Sequence, residues 1–370
     1  MKMFLNLFIV LSCLLPFGLK ANFKLGYGSS TAVVNSRIQE GFLMGFDLGI
    51  RKMLGDKRVR ELLTINQVEG ASQLGAIQSA SELVEKGVVA LFGFPGSHDS
   101  LLAAKIAQKA NVLFVAPGCN HNGLGKVGDT VYTTGHSMDR EVSSMLDFLK
   151  RFYSKKKGLV IINPSASPSL SQEDIFKQQL QDKSNANLNI SIVRLNLDLQ
   201  LPNEELDKLK KGDYSYICFT AYPEALVSLS NQLKSNSIDL PTVAGSAWGT
   251  VDSDVMRRYI STKKSPFYMA AVWVRGRPSS VYFERTFKLR YGRDPTPDNA
   301  FGYDLGIVAG SVVKRVAGKV TAATILSAFK KNKCFYNLTV GKLCFGDSGG
   351  HSDAKISYLK YTKKGFEPVL

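Results

Sequence analysis

The stretch Val88–Asn120, VVALFGFPGSHDSLLAAKIAQKANVLFVAPGCN, limits the folds open to this chain more than any other. Val88–Phe92 is a short apolar run that begins with two β-branched residues, which predicts a buried strand. Gly93, Pro95 and Gly96 break it. Ser97 or Asp99 can then cap a helix whose apolar face is Leu101, Leu102, Ala104 and Ile106. Val112–Val115 is a second apolar strand, ended by Ala116-Pro117-Gly118. Two buried strands joined by a helix form a right-handed βαβ unit in a parallel sheet. Ligands of such sheets sit beyond the carboxyl ends of the strands. Both ends here are loops of small polar residues: Gly96, Ser97 and His98 on one, Gly118, Cys119 and Asn120 on the other. The helix N-terminus at Ser97 also offers free backbone N–H groups, suited to an anionic ligand group.

Strand and helix patterns alternate on both sides of this unit. Asn22–Gly28 reads as the first strand, Arg37–Lys52 as a helix, Val59–Val68 as a strand and Ala71–Lys86 as a helix closed by Gly87. Thr130–Gly135 reads as a crossing segment rather than a core strand. After a helix at Met138–Tyr153 the alternation starts again. Strands are expected at Gly158–Ile162, Leu188–Leu195, Tyr214–Thr220 and Thr242–Ala244, with helices at Ser171–Lys183, Pro202–Lys211 and Pro223–Lys234. Tyr268–Val274 is extended, and helices follow at Ser280–Tyr291, Asp298–Ala317 and Thr321–Lys330. Strands from Cys334 onward end the chain. The fold class is α/β, with two doubly wound parallel-sheet lobes. A length of 370 residues, beyond what one core usually serves, fits two lobes.

The formal charge of +16 is compatible with nucleic acid, an anionic membrane surface or anionic ligands. The basic runs, however, are scattered over loops and element ends: Lys155-Lys156-Lys157, Lys210-Lys211, Lys263-Lys264 and Lys330-Lys331-Asn332-Lys333. No basic helix and no basic run interleaved with aromatics is present, so a nucleic-acid partner is not expected. Lys2, an apolar run from Met3 to Leu19 and then Lys20-Ala21 describe a signal peptide over 1–21, and hence a periplasmic or secreted protein. Val10-Leu11-Ser12-Cys13 loosely resembles a lipoprotein box, the alternative to a soluble mature form. In an oxidising compartment Cys334 and Cys344, flanking FYNLTVGKL, are candidates for a disulfide. Cys119 and Cys218 sit in or just after apolar strands and are expected to be buried free thiols. No Cys/His spacing fits a zinc site, and neither a metal nor a cofactor is expected.

The order of parts resembles the type I periplasmic substrate-binding proteins, the branched-chain amino-acid-binding group of ABC transporters. The resemblance rests on Leu91–Ser100, Val115–Asn120, the crossing Tyr132–Gly135, Ala221-Tyr222-Pro223-Glu224 after a strand, and Arg290–Gly306 (RYGRDPTPDNAFGYDLG). It implies two lobes joined by three crossings, with a cleft that closes on a small ligand. One lobe would comprise 22–133 plus about 272–338, the other 134–271 plus about 339–370. Hinges would lie near Thr133–Gly135, Ala270–Val274 and Leu338–Cys344. Ser97, Gly118 and Asn120 match loop residues that hold an amino acid's carboxylate and amine in that family. With Gly96 and His98 beside them, and Tyr27, Tyr222 and Trp248 as apolar or stacking walls, they make up the expected ligand site. The family's acidic position appears here as Ala247, and the loop Asn163–Leu170 carries Pro164 and Pro168 in place of an aromatic. An amino acid and an organic or aromatic acid are therefore both open as ligands. The resemblance further implies a membrane permease of an ABC transporter as partner, with a sensory binding module, or less so an enzyme in the same cleft, as the alternative.

Gly346-Asp347-Ser348-Gly349-Gly350 matches the nucleophile loop of trypsin-like proteases. That chemistry needs a histidine and a carboxylate brought together by two β-barrels. None of His98, His121, His136 and His351 sits in such a context, so the motif reads as a turn. Ser97-His98-Asp99 is no triad either, because adjacent residues cannot relay through one another. No catalysis is expected.

Overall fold

Two sheets organise the protein in the computed structural model, which describes residues 23–31, 36–69, 73–220, 224–247, 260, 263–363 and 365–369. The first sheet holds β1 (Lys24–Thr31), β2 (Leu63–Glu69), β3 (Val88–Gly93), β4 (Leu113–Ala116), β5 (Val131–Thr133) and β13 (Gly350–His351). Its order is β13-β5-β4-β3-β1-β2, and every neighbouring pair is parallel. The second holds β6 (Lys157–Ile162), β7 (Asn189–Arg194), β8 (Tyr216–Phe219), β9 (Thr242–Ala244), β10 (Phe267–Ala271), β14 (Ser357–Thr362) and β15 (Gly365–Pro368). Its order is β15-β14-β10-β9-β8-β6-β7, parallel except for β14 and β15. A separate antiparallel ribbon, β11 (Cys334–Leu338) with β12 (Gly341–Cys344), carries the disulfide Cys334–Cys344. Cys119 and Cys218 are free and buried.

Helices cover both faces of each sheet, as parallel strands require. The first lobe uses α1 (Ser36–Leu54), α2 (Asp56–Leu62), α3 (Gln73–Glu85), α4 (Ser97–Lys109), α9 (Val281–Tyr291), α10 (Pro297–Arg315) and α11 (Ala322–Lys331). The second uses α5 (Met138–Tyr153), α6 (Ser167–Leu180), α7 (Asn203–Lys210) and α8 (Glu224–Ser235). Alternate strand residues divide between two cores. Leu25, Tyr27, Phe92 and Val115 pack with Phe46 and Tyr303, while Leu91, Phe114 and Ala116 pack with Ala76, Ala80, Ala103 and Ala104. In the second lobe Leu159, Ile161, Ile217 and Phe219 enter one core and Val160, Ile162, Tyr216 and Cys218 the other.

Helices α1 and α10 approach unusually closely. A Cβ on Gly49 would fall 2.2 Å from the Tyr303 carbonyl oxygen, and one on Gly302 would fall 2.0 Å from that of Phe42. Gly41, Gly45 and Gly49 on one helix face Gly302, Gly306 and Gly310 on the other, and the four-residue spacing keeps each set on one stripe. Asn299 Nδ2 adds a hydrogen bond to the Gly41 carbonyl at 2.8 Å.

Three expectations need correction. The stretch expected as a strand from Val59 begins as helix α2. Val59 and Leu62 are buried three residues apart, with charged residues between them, which is helical rather than alternating periodicity. The stretch expected as a bare crossing at Thr130–Gly135 contains β5, a buried strand between β4 and β13. Its three residues are too few to display a period. The lobe boundary expected near 338 falls instead at 352–356. Leu338, Leu343, Phe345 and Ala354 bury in the first lobe's core, β13 joins its sheet, and β14 begins the return to the second. The hinge expected at Leu338–Cys344 is thus part of the first lobe.

The remaining passages run through 134–137 and 272–280, and the first and third are bound to each other. Ser352 N donates to the carbonyls of Thr133 and Gly135 at 3.1 and 3.0 Å, and Ser352 Oγ donates to Thr134 O at 2.9 Å. Arg140, at the start of α5, donates to Ser352 O at 3.0 Å.

Candidate functional site

The strand order of the first sheet reverses between β1 and β3, so the crevice beyond their carboxyl ends is where a ligand of such a sheet sits. Close backbone approach shapes it. A Cβ on Gly93 would lie 2.3 Å from the Gly28 carbonyl oxygen, and Phe94 N donates to that oxygen at 2.7 Å. Gly96, at φ 134°, then turns the chain into α4 without any side-chain cap. Ser97 is therefore the first helical residue and not the cap, and Asp99 does not cap either. Asp99 instead accepts a short hydrogen bond from Ser30 Oγ, at the end of β1. Burial raises the Asp99 carboxyl above its usual range despite that bond.

The structure brings Ser97 and Asn120 together. Ser97 Oγ donates to Asn120 Oδ1 at 3.3 Å, and both residues are half-buried. Gly118, at φ 62°, lies against the ring of Phe301, and its N–H donates to Thr134 Oγ1 at 2.9 Å. Cys119, between them, turns inward: its sulfur lies 2.9 Å from Ser100 Oγ, and burial pushes the thiol pKa up. Gly96 and His98 are exposed at the mouth of the loop. Tyr27 does not join the group. Its side chain is wholly buried, 4.8 Å from the Phe46 ring, because the alternation along β1 turns it into the core beneath α1. It is a packing residue rather than a ligand wall. Tyr222 and Trp248 lie outside the described residues.

A carboxylate that sequence reasoning missed faces this loop pair. Glu141, in the first turn of α5, is 2 % exposed. Its Oε2 accepts from Asn120 Nδ2 at 3.0 Å and lies 3.2 Å from His136 Nε2. Its Oε1 accepts from Ser246 N at 2.6 Å, just after β9. Burial alone would raise the Glu141 pKa. The His136 and Ser246 contacts outweigh it and hold the carboxyl below its usual range. A chain of hydrogen bonds thus runs Ser97–Asn120–Glu141–Ser246 from one lobe to the other. An acid in the first turn of a helix ordinarily complements the helix dipole, so nothing in the sequence marked Glu141 out. The second lobe's own reversal lies between β6 and β8. There Asn163 N donates to Ser169 Oγ at 2.9 Å, and that oxygen is 3.2 Å from Thr220 Oγ1.

Among the described residues no group of His, Cys, Asp and Glu is placed to hold a metal ion, and no helix is long and apolar enough to cross a membrane. The protease-like Gly346–Gly350 is a turn leading into β13. Ser348 is exposed on it, and Asp347 pairs with Lys333.

A profile of the periplasmic binding protein family matches residues 67–365. The fold is similar to that of an ABC transporter substrate-binding protein from Desulfitobacterium hafniense in complex with Leu: TM-score 0.75, 18% identity, covering 94% of this chain and 100% of that one. A leucine-binding protein from Thermotoga maritima gives TM-score 0.75 at 16% identity, covering 94% and 98%. A solute-binding protein of an ABC transporter from Rhodopseudomonas palustris, in complex with 3,4-dihydroxybenzoic acid, gives TM-score 0.73 at 15% identity, covering 94% and 95%. No curated protein sequence matches this chain.

Proposed function

This chain belongs to the periplasmic binding protein family, and from that premise we propose that it captures a small, carboxylate-bearing solute between its lobes and presents it to the membrane permease of an ABC importer. One observation carries the reading: Ser97 Oγ is bonded to Asn120, at the ends of β3 and β4, and Asn120 Nδ2 donates across the lobes to Glu141, which also accepts from Ser246 N. Hydroxyl and amide donors next to the N-terminus of α4 suit a carboxylate. The three passages between the lobes are the natural hinge for closure on it. Removal of 1–21 as a signal peptide would place the mature protein outside the cytoplasm, where such a capture step operates. Leucine and 3,4-dihydroxybenzoate, bound by structural neighbours, both carry a carboxylate, so the ligand class spans amino acids and aromatic acids. The test is mass spectrometry of small molecules released by denaturing freshly purified protein, followed by calorimetric titration of what is found. A released carboxylic acid that rebinds stoichiometrically supports the reading. Release of no small molecule, with no heat from panels of amino and aromatic acids, overturns it.

A further inference from the structure

Asn120 Nδ2–H belongs to the first lobe and Ser246 N–H to the second, yet both donate to one carboxylate, that of Glu141. The carboxylate is buried, and His136, in the passage at 134–137, contacts the same oxygen as Asn120. Its partners leave Ser97 Oγ spent on Asn120 Oδ1. The polar groups offered to a solute are thus already engaged with one another.

We propose that Glu141 is a built-in latch, holding the lobes together in the absence of solute by filling the amide donor of Asn120 with the protein's own carboxylate, which Ser246 N–H steadies from its own lobe. This rests on the reading of the interlobe crevice as the solute site. Met138 N, at the start of α5, donates to Asn120 O at 3.0 Å, so α5 pivots on the β4 loop, and opening carries Glu141, one turn further along the helix, away from Asn120 Nδ2. The Glu141–Ser246 bond lies within the second lobe and survives. The bond to Asn120 is therefore the one that closure gains. A solute entering the closed form must take Asn120 Nδ2 from Glu141. The anchoring is well braced: Glu141 N donates to Ser137 O at 3.1 Å, and the neighbouring Arg140 is tied to Ser352 O at 3.0 Å.

The experiment measures the interlobe distance directly. Spin labels at Lys105→Cys and Ser165→Cys, both exposed and on different lobes, report it by pulsed dipolar spectroscopy. The protein is first stripped of solute by unfolding and refolding with the disulfide intact. The stripped wild-type background is expected to give a predominantly short, closed distance. Glu141→Ala and, independently, Asn120→Ala should each lower the closed-to-open ratio by about tenfold or more, as loss of one charge-assisted hydrogen bond implies. Asn120→Ala leaves the buried carboxylate with Ser246 and His136, so it retains a test if Glu141→Ala folds poorly. An open distance in stripped wild type, or identical distributions in wild type and the Asn120 variant, overturns the latch. Neither result touches the solute-release experiment, so failure of the latch and failure of the binding reading are separable.

Discussion

A Cβ placed on Gly45 of α1 would lie 2.0 Å from the carbonyl oxygen of Asn299 on α10, so these two backbones meet with no room for a side chain. The clashing atom is main chain and cannot rotate away. Gly45→Ala is expected to destabilise the first lobe by about 3 kcal/mol or more, at the upper end of overpacking costs. Gly346→Ala, where the nearest atom is 3.7 Å away, serves as the control and should leave the melting temperature nearly unchanged. Thermal unfolding followed by circular dichroism compares the two. Equal melting temperatures would show that α1 and α10 do not pack this closely.

Ser97 makes no cap bond to α4, so removing its hydroxyl should spare the fold. Ser97→Ala is expected to keep the wild-type melting temperature while weakening solute binding by about tenfold to a hundredfold, the range for a hydrogen bond to a charged group. Calorimetric titration with the solute recovered from the purified protein checks this. Unchanged affinity would remove Ser97 from the site.

Asp298, in the first turn of α10, is buried with Oδ1 unpartnered, and burial pushes its pKa up to about 8. The unfolded chain ionises this carboxyl near 3.8, whereas the folded protein resists doing so. Its contribution to stability is thus fully present in acid and is lost as pH rises toward 8. Asp298→Asn should stabilise the protein at pH 8, by on the order of a few kcal/mol, and have little effect at pH 4. Denaturant titrations at the two pH values give the comparison, and a stabilisation equal at both would contradict it.

His351 shows the opposite trend. Its Nε2 is buried without a partner, and burial, with His136 and His121 adding to it, pushes its pKa down to about 4 from 6.5, despite the backbone groups of Asn120 and His121. The unfolded chain takes up this proton first, so the stability present above pH 6.5 declines as the pH falls toward 4, by up to about 3 kcal/mol. His351→Gln should flatten the stability profile over that interval. A variant with the wild-type slope would assign the acid sensitivity elsewhere.

The sequence disclosed the parts whose signals are local. The β3–α4–β4 unit was legible because apolar runs, a glycine-proline break and a helical period follow one another without interruption. The meeting of Ser97 with Asn120 followed from it, since adjacent parallel strands deliver their loops to the same edge. What stayed hidden depends on a partner far along the chain. Gly41, Gly45 and Gly49 are visible at a spacing of four, but glycine inside a helix reads as weakness until the facing glycines of α10 are known. Glu141 was indistinguishable from an ordinary acid in a first helical turn. Tyr27 was misassigned because a strand-end aromatic reads as a wall or as core according to a register that one strand alone does not reveal. The third passage was misplaced for a similar reason: β13 has two residues, and only its pairing with β5 identifies it.

That short pairing governs the order in which the protein can be completed. Gly350 and His351 supply the edge of a sheet whose other members are all finished by Thr133. A nascent chain therefore carries an unsealed strand edge at β5 through the synthesis of the whole second series of strands and helices. A truncation that removes the last segment before β13 harms the lobe made first as well as the lobe made last, so deletion from the C-terminus should abolish cooperative folding instead of trimming one half.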